Sequence, residues 1–226
     1  EVEWAIKEGL QSIWIPHRAP IGHSPGHVDL EGFWARLAEA DVPFVLHVGG
    51  APLQVSKDWG NNGRAPVKDW LGGGENVRTK DAAVLHQTPE MFLSVMLLDG
   101  VFDRHPGLRG AAVELGAGWV PEMCRRLDWV TRIYGRSDKS VRFDRAPSQQ
   151  LIEQMAFTPF SHEDVAYLME DSHPDLYLFS SDYPHLEGTK DPIGRFERFL
   201  ENSKPAIRDA FYAENFLRLW PNARVD

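Results

Sequence analysis

The chain has 226 residues, a formal net charge of −9 and a single cysteine, Cys124. The acidic balance argues against nucleic acid and anionic membranes as partners, and one cysteine excludes both a disulfide framework and a cysteine-based zinc site. No apolar run approaches the roughly 20 residues of a membrane span, and there is no signal-peptide pattern, so we expect a cytoplasmic protein that acts on a small-molecule substrate.

The first residues have the pattern of a helix end rather than of a protein start. Glu1 is not an initiator methionine, and EVEWAIKEGL (1–10) resembles the last turns of a helix that ends at Gly9. We therefore expect a piece of a longer protein whose N-terminal part is missing. The length is that of one sizeable α/β unit, so we expect residues 1–226 to form a single domain.

The first part of the chain alternates between strand and helix patterns. Residues 11–16 are a short β-rich run, and residues 29–41 place apolar side chains on one helical face, with Asp29 as the predicted N-cap. Residues 42–49 are nearly all apolar, which is typical of a strand buried on both faces of a sheet. A polar, glycine-rich segment, 50–87, follows, and we expect it to shape substrate specificity.

The rest of the chain repeats this alternation. Thr88 is the predicted cap of a helix with Pro89 in its first position, and Ser161 and Asp164 have the spacing of a capping box. The predicted strands are 108–116, 155–159 and 176–181. The predicted helices are 88–105, 119–135, 148–154, one that follows Ser161, one after Asp191-Pro192 and a last one that ends near Trp220.

About five alternations of strand and helix predict a parallel α/β sheet with right-handed crossovers. Two architectures share this pattern: an open doubly wound sheet and the later part of a (βα)8 TIM barrel. An open sheet concentrates its site near one switch point, whereas a barrel builds its site from the carboxyl ends of several strands. Polar residues end or follow four of the predicted strands, namely His17, His47, Glu114 and Asp182. This distribution favours the barrel.

Two motifs resemble the signatures of other enzyme classes. GHSPG (22–26) matches the G-x-S-x-G nucleophile elbow, but Pro25 follows Ser24 and has no N–H to offer an oxyanion. GAGWVP (116–121) has a proline in place of the third glycine of a dinucleotide-binding loop. A serine hydrolase and a Rossmann-type site are therefore both disfavoured.

Three segments, VPFVLHVGG (42–50), GVFDRHPGLRGAAVELGAGWVP (100–121) and FSSDYPHLEG (179–188), together resemble the amidohydrolase-2 family. This family includes aminocarboxymuconate-semialdehyde decarboxylase-like enzymes, and the resemblance spans about residues 10–220. It implies a TIM barrel of the metal-dependent hydrolase type, of which about five of the eight strands would be present here. It also implies one divalent metal ion, zinc first and manganese second, that serves hydrolysis or non-oxidative decarboxylation.

The resemblance also implies a set of metal ligands. His47 matches the family's histidine on the fifth strand, and Asp182 matches the aspartate on the eighth strand, which we expect to be catalytic as well. Imidazole and carboxylate are ligands that both zinc and manganese accept. Two further family ligands belong to an H-x-H-like motif on the first strand, which this sequence lacks. With half of its ligands, we expect this part of the barrel to hold the ion poorly or not at all.

Glu114 stands where relatives of this family usually carry a histidine. A glutamate there could act as a general base, become a metal ligand or be structural. We expect its carboxylate to face the same cavity as His47, without an arginine partner. A second fixed anion would repel a carboxylate substrate, which favours hydrolysis of a small organic acid, ester or amide over decarboxylation.

Three further histidines are weaker candidates for the substrate-binding wall: His17, His86 and His185. A different class of function also fits the altered position 114, namely a catalytically silent barrel that binds a partner or acts as a scaffold. A homodimer is compatible with either function.

Overall fold

The computed structural model describes residues 1–20, 22–51, 55–65, 79–185 and 188–223, without the side chains at positions 57 and 60. Much of the glycine-rich segment that we expect to shape specificity, including 66–78, lies outside the described residues. None of the described helices has the length and apolar character that crossing a membrane requires.

A parallel sheet of four strands lies at the centre of the described chain. Its strands are β1 Ile13–Trp14, β2 Phe44–His47, β3 Gly110–Val113 and β4 Met155–Phe157. Neighbouring strands are hydrogen-bonded in chain order, β1-β2-β3-β4. A doubly wound sheet has a switch point at which the strand order reverses, and the order of these four strands does not reverse. The four strands therefore follow the order of a (βα)8 barrel. The predicted barrel-type α/β fold is confirmed.

The strand predicted at 176–181 is reduced to one bridge. Tyr177 pairs in parallel with Phe157, and the Leu178 N–H donates to the Phe157 carbonyl at 2.9 Å. The next amide, that of Phe179, donates instead to the Phe211 carbonyl at 3.0 Å. The segment therefore lies beside β4 as predicted, but it leaves the ladder early because its backbone bonds to a helical residue.

Twelve α-helices occur in the described part of the chain. They are α1 Val2–Lys7, α2 Glu31–Glu39, α3 Lys57–Gly60, α4 Thr79–Ala83, α5 Gln87–Leu98, α6 Val101–Arg104, α7 Val120–Tyr134, α8 Pro147–Gln154, α9 Val165–Asp171, α10 Pro192–Phe199, α11 Pro205–Asp209 and α12 Asn215–Leu219. Short 3₁₀ turns cover Val28–Leu30, Lys139–Val141 and Pro174–Leu176, and a π-helical turn covers Ala210–Glu214.

The predicted start of α2 is wrong. Asp29 lies inside the preceding 3₁₀ turn, and its N–H donates to the imidazole Nδ1 of His27 at 3.2 Å. The helix itself begins at Glu31. A histidine therefore caps the turn that the sequence pattern merges with the helix.

Two other predicted caps also differ from the structure. The helix predicted to begin after Thr88 starts at Gln87, so Thr88 and Pro89 lie within its first turn. In α9 the cap is Asp164, whose carboxylate accepts the Tyr167 N–H at 3.1 Å, and not Ser161. Each segment contains more than one residue able to cap the start of a helix, and helix bounds commonly differ by one or two residues.

Strands β2, β3 and β4 pack against apolar residues on both faces. Alternate residues such as Phe44 and Ala112 join the large apolar cluster that includes residues of the helices. Their neighbours, such as Ala111 and Ala156, join a smaller cluster with Trp220. This explains why the strand sequences are nearly continuous apolar runs. The polar residues His47 and Glu114 accordingly lie at or just after the ends of strands.

Candidate metal centre

The carboxyl ends of β2 and β3 bring His47 and Glu114 together. His47 is the last residue of β2 and is paired in register with Val113, the residue before Glu114. Its Nε2 lies 2.8 Å from Oε2 of Glu114. These two residues are 67 positions apart in the sequence. They meet because neighbouring parallel strands have their carboxyl ends at the same edge of the sheet.

The backbone at Glu114 departs from the extended conformation. Its φ is 57°, in the left-handed region that residues with a Cβ seldom adopt. The Glu114 N–H donates to Oγ1 of Thr158, at the end of β4, at 3.1 Å. The carboxylate is 10% exposed. Thr158 is a supporting residue without a signal in the sequence, since a threonine after a strand is common.

A turn beyond the bridge at Tyr177 adds Asp182 and His185. Asp182 also has a left-handed backbone, with φ 49°, and its carbonyl accepts the His185 N–H at 2.9 Å. Nδ1 of His185 lies 3.1 Å from Oε1 of Glu114 and 3.4 Å from Oδ1 of Asp182. The imidazole therefore contacts both carboxylates. One potential ligand atom from each of the three residues lies within 4.8 Å of the others.

His17 contacts the backbone of this group, and its place among the substrate-binding candidates stays a prediction. Its side chain is buried, and its Nε2 lies 3.0 Å from the carbonyl oxygen of His47. A Cβ on Gly50 would lie only 2.7 Å from Cδ2 of His17, so the ring packs directly on this backbone. Burial lowers the pKa of His17. A neutral ring that donates to a carbonyl fixes the backbone of the neighbouring strand end.

The hydrogen bond of His47 selects a tautomer suited to a metal ion. Its Nδ1 lies 2.9 Å from the Val48 carbonyl oxygen, which can only accept, so Nδ1 carries a proton. In the neutral imidazole Nε2 then has a lone pair that faces Oε2 of Glu114 at 2.8 Å, a contact between two acceptors that a metal ion or a proton between them would relieve. Metal-binding histidines commonly have this arrangement, with the second nitrogen donating to a carbonyl.

His86 is not linked to this group. It is the N-cap residue of α5, and its side chain makes no hydrogen bond or ion pair with any described residue. Its place among the substrate-binding candidates stays a prediction. His185, by contrast, is placed in direct contact with the two carboxylates.

Glu114 is balanced by imidazoles. Within the described ranges its ion-pair partners are His47 and His185, and no arginine contacts it. The sequence predicts that this carboxylate repels an acidic substrate. A proton or a metal ion shared between this carboxylate and an imidazole would offset its charge and so weaken the repulsion.

Cys124 and Ser24 both have structural surroundings. Cys124 is buried in α7, where burial raises the pKa of its thiol to about 12, so the thiol stays protonated at neutral pH. The hydroxyl of Ser24 donates to the Asp99 carboxylate. The G-x-S-x-G motif is therefore part of a packed loop.

Glu163 is a supporting residue that the sequence did not reveal. Its carboxylate accepts the N–H groups of Ala117, Gly118 and Phe160, at 3.0, 2.7 and 2.6 Å. These groups belong to the segments that follow β3 and β4. The sequence places position 163 next to a helix cap, and a local pattern cannot show that its carboxylate bonds to a loop 45 residues away.

The donor set fits a divalent metal ion. Imidazole and carboxylate oxygen together suit zinc and manganese. Glu114, Asp182 and His185 each offer one ligand atom within 4.8 Å of the others, and Nε2 of His47 lies 2.8 Å from Oε2 of Glu114. These features define a class of protein: a barrel-type α/β protein with imidazoles and carboxylates at the carboxyl ends of its strands.

The family follows from a direct match. A family model described as "Amidohydrolase" matches residues 16–221, and the chain belongs to this family. The family resemblance of the sequence motifs is thereby confirmed. No curated protein matches the chain.

Solved structures share the fold over almost the whole chain. An amidohydrolase from Mycobacterium avium subsp. paratuberculosis K-10 has 25% identity and a TM-score of 0.76, over 97% of this chain and 54% of that one. A dihydroxybenzoic acid decarboxylase from Polaromonas sp. JS666, with bound manganese and the inhibitor 2-nitroresorcinol, has 18% identity and a TM-score of 0.63, over 99% and 65%.

A third structure is 5-carboxyvanillate decarboxylase from Novosphingobium aromaticivorans DSM 12444, complexed with manganese and 4-hydroxy-3-methoxy-5-nitrobenzoic acid. It has 15% identity and a TM-score of 0.65, over 97% of this chain and 61% of that one. The chain thus spans between about half and two-thirds of the length of these three relatives.

Proposed function

We propose that this chain carries part of the active site of a metal-dependent enzyme that hydrolyses, or non-oxidatively decarboxylates, a small organic acid, ester or amide. The observation that carries the proposal is the convergence of His47, Glu114, Asp182 and His185 at the carboxyl ends of a barrel-type sheet. The manganese bound by two relatives supports a divalent metal ion as the cofactor.

In this proposal His47 and Asp182 are metal ligands, and His185 or Glu114 adds a third donor. With this third donor the chain would hold an ion that the two ligands predicted from the sequence would hold poorly or not at all. Zinc and manganese both suit mixed imidazole and carboxylate donors. When bound, such an ion supplies Lewis-acid polarisation of an oxygen group. His17 contributes by holding the His47 backbone, which sets the direction of the ligand.

Glu114 is the proposed general base. Its carboxylate is 10% exposed and lies between two imidazoles, so a proton taken up at Oε1 can pass to Nδ1 of His185, 3.1 Å away. The His185 side chain is 38% exposed and so connects this position to solvent. The left-handed backbone of Glu114 supports a functional role, because such strain concentrates at active sites.

Hydrolysis and decarboxylation both remain within the proposal. The imidazoles beside Glu114 weaken the electrostatic argument against an acidic substrate, and the names of two structural relatives favour decarboxylation of a hydroxybenzoate-type acid. We therefore propose to assay the protein with 2,6-dihydroxybenzoate and 5-carboxyvanillate for carbon dioxide release, and with a phenyl ester for hydrolysis.

The test compares metal content and turnover in matched variants. Glu114→Gln should keep the metal ion and lower turnover by about 10²- to 10⁴-fold, the usual contribution of a general base. His47→Ala and Asp182→Asn should lower metal content measured by elemental analysis. Glu170→Gln, at an exposed position of α9, is the control and should change neither quantity.

Two results would contradict the proposal. Unchanged turnover in Glu114→Gln would remove the base assignment. Full metal content after replacement of both His47 and Asp182 would show that the ligands lie elsewhere. A protein with neither metal nor turnover on these substrates would instead support a binding or scaffold role.

A further inference from the structure

A second group of potential ligands lies outside the site described above. One ligand atom from each of His23, His27 and Asp29 lies within 4.8 Å of the others. The two imidazole rings are 4.2 Å apart between centroids, with an angle of 41° between their planes. Nδ1 of His27 lies 3.4 Å from Oδ2 of Asp29. We propose that these three residues bind a divalent transition-metal ion such as zinc.

The contact between His27 and Asp29 has the spacing of two ligands on one ion. Nδ1 of His27 accepts the Asp29 N–H at 3.2 Å, so it carries no proton, and a metal ion at Nδ1 would take the place of this N–H on its single lone pair. Two acceptor atoms at 3.4 Å form no hydrogen bond with each other. Two ligands about 2.1 Å from a tetrahedral zinc ion are separated by roughly 3.4 Å, so an ion fits between these atoms.

The loop that carries the two histidines is held in place by its own contacts. The Trp34 indole N–H donates to the Pro25 carbonyl at 2.8 Å in a buried contact, and the Ser24 hydroxyl donates to Asp99. A Cβ on Gly26 would overlap the Asp99 side chain, so the backbone lies directly against it. The ion would therefore order two side chains on a fixed loop, which reduces the entropy lost on binding.

The surroundings favour a cation. The side chains of His27 and Asp29 are 38% and 68% exposed, so an ion and its remaining water ligands can reach them. The chain carries a net charge of −9, which raises the local concentration of cations. Two imidazoles with one carboxylate are a donor set that zinc accepts.

His23, His27 and Asp29 share no residue with the ligand group of Glu114, Asp182 and His185. The loop that carries the two histidines packs on Asp99, which follows α5 and begins the connection to the amino end of β3. Glu114 follows the carboxyl end of the same strand. The second ion therefore does not depend on the proposed function.

Calorimetric titration of the metal-free protein with zinc chloride tests the inference. The unaltered protein should bind two equivalents, one at each site. Glu114→Gln with Asp182→Asn should remove one equivalent, and His23→Ala with His27→Ala should remove the other. In the Glu114→Gln, Asp182→Asn background, loss of both loop histidines should weaken zinc binding at least about 100-fold, more than loss of an outer-shell partner.

His162→Ala is the matched control, because His162 is an exposed histidine outside both groups. It should leave both equivalents in place. Undiminished binding after loss of His23 and His27, or no binding in the Glu114→Gln, Asp182→Asn background, would overturn the inference. An unaffected stoichiometry in Glu114→Gln with Asp182→Asn would instead contradict the proposed active-site metal.

Nuclear magnetic resonance of the histidine rings provides a second measurement, and it is made on a protein that keeps both loop histidines. The imidazole signals assigned to His23 and His27 should shift with the first equivalent of zinc in the Glu114→Gln, Asp182→Asn background. Signals that do not move would overturn the inference even if the double alanine variant fails to fold.

Discussion

Glu114 and Asp182 have left-handed backbones although neither is a glycine, with φ of 57° and 49°. Such a conformation is less stable than the right-handed one by about 1–2 kcal/mol for a residue with a Cβ. Asp41, in the tight turn before β2, is the other such residue among those described. The sequence identified both acids as strand-end residues, but it holds no sign of the backbone conformation that brings their carboxylates to one histidine.

Gly110 allows a residue-scale test of the sheet packing. A Cβ on this glycine would lie 2.5 Å from Cζ of Phe44 and 2.8 Å from Sδ of Met155. Overpacking of this kind destabilises by about 1–3 kcal/mol. We expect Gly110→Ala to lower the free energy of unfolding by about that amount, measured by urea denaturation.

Gly32 is the matched control for this substitution. It lies exposed in the first turn of α2, and nothing lies within 4 Å of an added Cβ. Gly32→Ala should leave the free energy of unfolding unchanged or raise it by up to about 1 kcal/mol, because alanine favours a helix. Equal effects of the two substitutions would contradict the packing described for β3.

At the scale of elements, the loops after β3 and β4 are tied to each other. Glu163 accepts three backbone N–H groups from the two loops, and Thr158 accepts the N–H of Glu114. The Trp119 indole also donates to the Leu115 and Gly116 carbonyls, at 3.2 and 2.9 Å. These contacts fix the segment on both sides of the proposed base.

Replacement of Glu163 should loosen this connection. Glu163→Ala leaves three N–H groups without their acceptor, and we expect the free energy of unfolding to fall by about 2–3 kcal/mol. Glu163→Gln keeps one carbonyl oxygen as an acceptor and should lose less. Urea denaturation of both variants measures the difference. A loss in Glu163→Ala no larger than in Glu163→Gln would show that the carboxylate does not join the loops.

At the scale of the whole molecule, one large apolar cluster extends from Ile15 to Phe211 and includes residues of most helices and of all but the first strand. A shared core predicts that these elements unfold together. We expect the urea transitions followed by tryptophan fluorescence and by far-ultraviolet circular dichroism to coincide. Two separate transitions would contradict the expectation that the chain forms a single domain.

The local periodicity of apolar residues was sufficient to predict the order of strands and helices along the chain. Strands buried on both faces must be apolar throughout, and helices packed on one side must repeat their apolar residues, so the order of strands and helices and the strand-end positions of His47 and Glu114 could be predicted. Helix starts were less predictable, because His27 and Asp164 act as caps at places where other polar residues also could.

What the sequence alone determined is therefore the barrel-type alternation and the residue types that end its strands. Only the tertiary structure decided that His185 contacts Glu114 across 71 positions, that His17 supports His47, and that Glu163 joins two loops. The physical reason is that burial imposes a repeating pattern on each element separately. Contacts between strand ends depend instead on register and on turn conformations such as those of Glu114 and Asp182, which leave no periodic trace in the chain.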